Sequence, residues 1–173
     1  KIKELEENVH LQLLERAVRG HGQRPGEGVA ELKRLYQDIP RQLRYSLPIT
    51  RRYIELLIEQ HEETLAEHEL RNALKYVWHD ELISLYGTLK GEDASRQLLF
   101  AEQQLQERPN DPQLLLILGR LALRLNDLDK AQEYLQTGLR IKGLPELHAE
   151  MGKVLLAEGD ESRACEHFQL ALR

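Results

Sequence analysis

Residues 112–139, PQLLLILGRLALRLNDLDKAQEYLQTGL, carry two apolar helical stripes separated by a short break. In the first, Leu115, Leu118, Gly119 and Ala122 recur at spacings of three and four. After Asn126-Asp127 the pattern resumes with Leu128, Ala131, Leu135 and Leu139. That period is the mark of an amphipathic helix. Asn126 suits a left-handed position at a helix C-terminus, and Asp127 suits an N-cap. The spacing therefore predicts helices over 112–125 and 128–141.

The layout returns 33 residues later, in PELHAEMGKVLLAEGDESRACEHFQLAL at 145–172. Gly119 is matched by Gly152, Asp127 by Asp160, Ala131 by Ala164, Leu135 by Phe168 and Gly138 by Ala171, while Leu118 answers to Met151. Two rods cross closely only where bulk is missing. Gly119, Ala131, Gly138, Gly152, Ala164 and Ala171 are therefore assigned to crossings. Leu115, Leu118, Leu135, Met151 and Phe168 are assigned to the layers between them. The unit resembles the tetratricopeptide repeat, a helix–turn–helix of about 34 residues. It is one residue short of that norm, and Gly143 precedes Pro145 where a proline would close the repeat.

A weaker copy lies upstream. Ile49 to Gln60 reads as one helix, His61-Glu62 as a turn, and Thr64 to Val77 as a second helix with Ala66, Leu70 and Ala73 in the repeat spacing. An insert at 79–90, either a short helix or an extended crossing, precedes a helix over 92–107. In the first third, Ile2 to Val18 is amphipathic with Leu5, Val9, Leu13 and Ala17 along a stripe. GHGQRPGEG at 20–28 reads as a flexible loop, 28–38 as a short helix, and Pro40 and Pro48 bracket a turn-rich join. The expected fold is all-α: a tetratricopeptide-repeat-like, right-handed helical-hairpin solenoid. Residues 1–48 form its irregular start, and 49–173 hold the degenerate and regular repeats.

Composition agrees. The 173 residues include 24 Lys or Arg, 29 Asp or Glu and one Cys, for a formal net charge of −5. Leucine dominates the apolar set, which favours helix over strand. The lone Cys165 excludes an intramolecular disulfide and a clustered-thiolate metal site. The acidic balance argues against a general nucleic-acid-binding face, though not against a local basic patch. No run approaches the roughly 20 apolar residues that cross a bilayer, and the charged Lys1 to Asn8 is unlike a secretory signal. Because the chain starts on Lys and stops inside a helical pattern, it reads as part of a longer protein. An uncapped last helix would make a homodimer through that end plausible.

Catalytic chemistry is not evident. HEETL at His61 lacks the second histidine of the zinc-protease motif, since Leu65 stands there. His61 and His68 are seven apart; they read as surface or turn residues, with two-histidine metal or haem ligation as the alternative. Cys165 reads as a small buried or half-buried apolar side chain. No glycine loop precedes a Lys-Ser or Lys-Thr, so no phosphate cradle is expected. Trp78 and Tyr86 either pack the insert onto the array or line an exposed pocket.

An interaction protein is therefore the leading reading. The first helix of each hairpin lines the binding side of such arrays. This nominates Leu116, Ile117 and Arg120 in one unit and Glu150 and Lys153 in the next. Leu116 and Ile117 are contact residues if exposed; their alternative is packing against the preceding helix. A basic run, Lys33, Arg34, Arg41, Arg44, Arg51 and Arg52, is either a solvated rim or a site for an acidic group. Arg44, Arg51 and Arg52 are its candidate partner-binding members.

From Tyr36 onward the chain resembles the C-terminal part of bacterial HemY proteins. The resemblance rests on Tyr36-x-x-Ile39-Pro40-x-x-x-Arg44-x-x-x-Pro48-x-x-x-x-Tyr53, on Asp80-Glu81-Leu82-Ile83-Ser84-Leu85-Tyr86-Gly87, and on Arg108-Pro109-x-Asp111-Pro112 leading into Leu114 to Leu121. It implies a non-catalytic scaffold or regulator in haem or porphyrin metabolism, with haem-biosynthesis enzymes as partners. It also implies an inner-membrane anchor outside this sequence and a cytoplasmic repeat region. No resident cofactor is expected; direct haem or porphyrin binding is the alternative.

Overall fold

A computed structural model describes residues 1–20 and 26–173. Part of the loop expected at 20–28, residues 21–25, lies outside the described residues. The helices are α1 (Ile2–Arg19), α2 (Glu27–Asp38), α3 (Arg41–Arg44), α4 (Leu47–Glu59), α5 (Glu63–Ala73), α6 (Asp80–Thr88), α7 (Ala94–Glu107), α8 (Pro112–Arg124), α9 (Leu128–Ile141), α10 (Pro145–Glu158) and α11 (Glu161–Ala171). They form two compact units: Lys1–Leu82 with Leu89–Gly91, and Ile83–Thr88 with Glu92–Arg173. The insert is helical as α6, and the division falls within it.

In the second unit, α8 packs on α9 and α10 on α11, and α9 also packs on α10. Both hairpins turn by the same device. Asn126 (φ 59°) and Gly159 (φ 85°) take the left-handed conformation. The next amides, of Asp127 and Asp160, then bond back to the carbonyls of Ala122 and Leu155, each at 2.9 Å. Those aspartates in turn cap the following helices, accepting from the amides of Lys130 and Arg163. One short polar turn thus ends one helix and begins the next.

The small residues lie at contacts. A Cβ on Gly119 would meet Leu135 Cδ2 at 2.5 Å, one on Gly152 would meet the Phe168 ring at 2.6 Å, and one on Gly138 would meet Leu147 at 2.9 Å. Ala131 and Ala164 are fully buried in the cluster of Leu116, Leu135, Leu147, Met151, Val154 and Leu155, with Phe168 packed against it. Leu115 and Leu118 are buried, and Ala171 is half-buried. Tyr86 is also core, set edge-on to Phe100 with ring centroids 5.4 Å apart. Trp78 is half-buried.

The first unit is built around α4, which contacts α1, α2, α3 and α5. Tyr36 stacks on Tyr53 at 3.7 Å with the rings 5° from parallel, and both are buried. Burial disfavours the phenolate, so both hydroxyls ionise well above the usual tyrosine range. The α4–α5 turn repeats the hairpin geometry: His61 has φ 61°, and the Glu62 amide bonds to the Leu57 carbonyl at 3.0 Å. Helix α1 turns Leu14 and Ala17 inward. Leu5, Val9 and Leu13 of the expected stripe are exposed, so only its Ala17 end joins the core.

Candidate protein-binding surface

On the second unit, α8 and α10 are joined by a charge network. Arg120 Nε on α8 donates to Glu150 Oε1 on α10 at 2.9 Å, and Lys153 Nζ reaches the same oxygen at 3.0 Å. The Glu150 residue is only 5% exposed. The Lys153 side chain is 56% exposed and that of Arg120 27%. Two cations thus share one buried carboxylate, and the excess positive charge faces water.

Leu116 and Ile117 do not belong to this surface. They are 2% and 0% exposed. Leu116 joins the core shared with α10, and Ile117 covers Gly87 of α6, whose absent side chain leaves room for it. Both side chains are packed in the interior, Leu116 toward α10 and Ile117 against α6, where the expected alternative was the preceding helix. A large apolar side chain that sequence reading did not single out is Leu156, 49% exposed on α10. It sits one turn from Lys153 on a face with exposed Glu146 and Ala157. Its signal was visible: a large aliphatic residue among polar and small ones on the side of α10 away from Met151 and Leu155.

The basic run of the first unit is bound internally. Arg44 donates to the Ile39 carbonyl at 2.9 and 3.1 Å and also to the Gln37 carbonyl, closing the C-terminus of α2 where a cation is favoured. Arg51 bridges Glu55 and Glu81, each at 2.7–2.8 Å, and these carboxylates hold its guanidinium above the usual arginine range. Arg52 contacts Glu15, Glu55 and Glu59. Burial pulls Arg52 down, but Glu59 and Glu15 more than offset that. Arg34 pairs with Glu31 and Asp38, whereas Arg41 lies over the Tyr76 ring at 4.7 Å. Arg51 and Arg52 line an open cleft of about 250 Å³ with Leu11, Glu15, Pro48 and Glu55.

The histidines and Cys165 are also accounted for. His61 is the left-handed residue of the α4–α5 turn and is exposed; His68 lies within α5, against Arg71 and Asn72 at 3.2 and 3.1 Å. Because a left-handed conformation is costly for a residue with a Cβ, H61G is expected to stabilise the protein. The gain is about 0.5–1 kcal/mol, read as a higher urea midpoint. Cys165 is exposed, contrary to the buried or half-buried setting expected for it: it points off α11 while Ala164 takes the core position. Among the described residues, no group of three or more His, Cys, Asp or Glu is placed to hold a metal ion. No helix among them is long and apolar enough to cross a membrane.

Comparison with known proteins bears on the fold. The tetratricopeptide-repeat family matches residues 98–154. A MamA structure from Desulfovibrio magneticus, residue 41 to its end, superimposes with a TM-score of 0.61 at 17% identity, over 96% of this chain and 93% of that one. Pseudomonas aeruginosa PilF gives 0.61 at 20% identity, over 99% and 78%. Another MamA structure gives 0.58 at 13%, over 96% and 90%. The fold is all-α and of tetratricopeptide type. No curated protein matches the chain in sequence.

These findings overturn the HemY resemblance. Structures of MamA and of PilF match nearly the full length of this chain. The motifs quoted for the resemblance are explained by packing: Tyr36 and Tyr53 stack, Arg44 caps α2, Tyr86 is core, and Asp111 caps α8 through the amides of Gln113 and Leu114. The haem and porphyrin role, the haem-enzyme partners and the inner-membrane anchor outside this sequence were implied by that resemblance and lose its support.

Proposed function

We propose that this chain binds a protein partner on the exposed side of α8 and α10, with Arg120 and Lys153 meeting an acidic group and Leu156 supplying apolar contact. The supporting observation is the shared Glu150 carboxylate. It fixes both cations, so the ordering cost of presenting them is met within the fold. Glu150 is therefore a positioning residue in this reading. A buried anion held beneath two partly exposed cations is also poor as a catalytic arrangement, since it leaves no free base. In the first unit, Arg51 and Arg52 at the rim of their cleft are the further contact residues, while Arg44 supports the interior. Residues 49–173 carry the repeats in this reading, with 79–90 as the insert and 1–48 as the irregular start.

Site-specific photocrosslinking tests the proposal. A photoreactive residue at Leu156 is expected to capture a discrete partner from a native extract, and the same group at exposed Gln136 on α9 is not. The adduct at 156 should fall at least about tenfold in K153E, the scale of a lost interfacial charge contact. Equal capture at 136 and 156, or adducts indifferent to K153E, would reject this surface.

A further inference from the structure

The hairpin of α10 and α11 joins two histidines that the scaffold reading does not use. His148 lies on α10 and His167 on α11, with Nδ1 facing Nδ1 at 3.0 Å. The ring centroids are 5.2 Å apart, close to that gap plus the reach of the two rings, so the nitrogens point at each other end to end. This is the geometry of an N–H···N hydrogen bond. Both side chains are half-buried. The other histidines are placed differently: His68 meets Arg71 and Asn72, His79 accepts the Glu81 amide, and His61 sits at its turn.

We propose that this hydrogen bond is an acid-released latch: near neutral pH it holds α11 on α10, and protonation of both rings breaks it and loosens the hairpin. Three protonation states decide the matter. With both rings neutral, one Nδ1–H donates to the other Nδ1, so the rings are opposite tautomers. A first added proton goes to Nε2 of the donating ring, and the bond survives as a charge-assisted one. A second goes to the accepting Nδ1. Both Nδ1 atoms then carry protons, no acceptor remains, and two cations face each other across the gap. The rings titrate as a pair, in two steps that belong to neither alone.

The surroundings do not relieve that repulsion. Burial, then His148, then Arg163 hold His167 below the usual histidine range, against a smaller opposing effect of Glu166. On α10, Glu146 is solvated, and Glu150 is committed to Lys153 and to Arg120 of α8. Asp111 at the start of α8 caps the amides of Gln113 and Leu114. The chain leaving α9 passes His148, since a Cβ on Gly143 would stand 4.0 Å from its Nε2. That end of α9 brings two more cations, Arg140, bonded to Thr137, and Lys142. Lys130, at the other end, meets Glu102 of α7. The unfolded chain takes up protons at histidine's ordinary value of about 6.5, whereas the folded pair resists the second. Stability is therefore full above that range and is lost as pH falls through it. Opening uncovers the cluster that Ala164 shares with Met151, Val154 and Leu155. The latch uses different residues from the proposed partner surface, so either can fail alone.

The test compares the full chain with H148Q, H167Q and the control H10Q, each by thermal unfolding at about pH 7.5 and about pH 5. Glutamine keeps a hydrogen-bonding side chain but does not titrate. The midpoint of the parent is expected to fall with acid by roughly 2–4 °C more than that of H148Q or H167Q. H10Q should follow the parent. Hydrogen exchange, corrected for the intrinsic effect of pH, should show α11 losing protection in acid in the parent and not in the two glutamine variants. Nitrogen-15 spectra of the parent at about pH 8 provide a measurement independent of any variant: one ring of the pair should carry its proton on Nδ1 and the other on Nε2. Two rings both protonated on Nε2, or an acid-induced fall equal in parent, H148Q and H167Q, would overturn the proposal.

Discussion

Substituting alanine at Gly119 is expected to destabilise the protein by about 1–3 kcal/mol, the range for overpacking a close-packed core. The added Cβ would fall 2.5 Å from Leu135 Cδ2 and 2.6 Å from its Cγ. Moving Cγ means moving the body of a fully buried side chain, not swinging a flexible tip. Leu135→Ala alone opens a cavity and should cost about 2–5 kcal/mol. In G119A/L135A the new methyl enters the space that Leu135 vacated. The double variant should therefore be at least about 1 kcal/mol more stable than the sum of the singles. Urea denaturation of the four proteins measures that coupling, and strict additivity would show that this contact does not set the α8–α9 spacing. Gly152→Ala should be milder, because its neighbour Phe168 is half-buried on α11 and can give way.

The fold class was legible because its determinants are local. Asn126 and Gly159 stand 33 residues apart and take the same left-handed role, and the aspartate after each caps the next helix. Such turns are written in consecutive residues. The α4–α5 turn was harder to read, because His61 and Glu62 stand where the stronger copies have Asn-Asp and Gly-Asp. The backbone keeps the turn, but the side-chain cap is absent. Helix α1 shows the opposite limit. Its apolar stripe was plain, yet which face of an amphipathic helix packs depends on its tertiary neighbours, and those bury Leu14 and Ala17.

The candidate surface was legible in charge and obscure in burial. Arg120, Glu150 and Lys153 were placed on the first helices of the two hairpins by repeat position alone. That both cations meet on one oxygen of Glu150 required coordinates. Leu116 and Ile117 looked surplus to the core because the repeat pattern assigns each helix one inward stripe. Helix α8 is packed on more sides, with α7, α9 and α10 against it, and Ile117 fills the gap over Gly87. The His148–His167 contact was invisible for a related reason: its partners are 19 residues apart, on different helices, outside any spacing rule for one helix.

Arg120→Leu should cost about 2 kcal/mol, because it strips one of two cations from a carboxylate that is 7% exposed. The remaining partner, Lys153, is largely solvated and compensates only in part. Glu150→Leu should cost less, about 1 kcal/mol, since Arg120 and Lys153 can both turn to water. The double variant R120L/E150L is expected to lie within about 1 kcal/mol of the parent, as buried ion pairs exchange well for apolar packing. The ordering is what matters, and urea denaturation at low and high salt reads it. If the double variant were as unstable as R120L alone, Glu150 would be held by its backbone and packing, not by charge. If the ordering holds, R120L/E150L becomes a folded protein that lacks Arg120 and the carboxylate that fixes Lys153. Loss of crosslinking at position 156 in that protein would then report lost recognition and not lost structure.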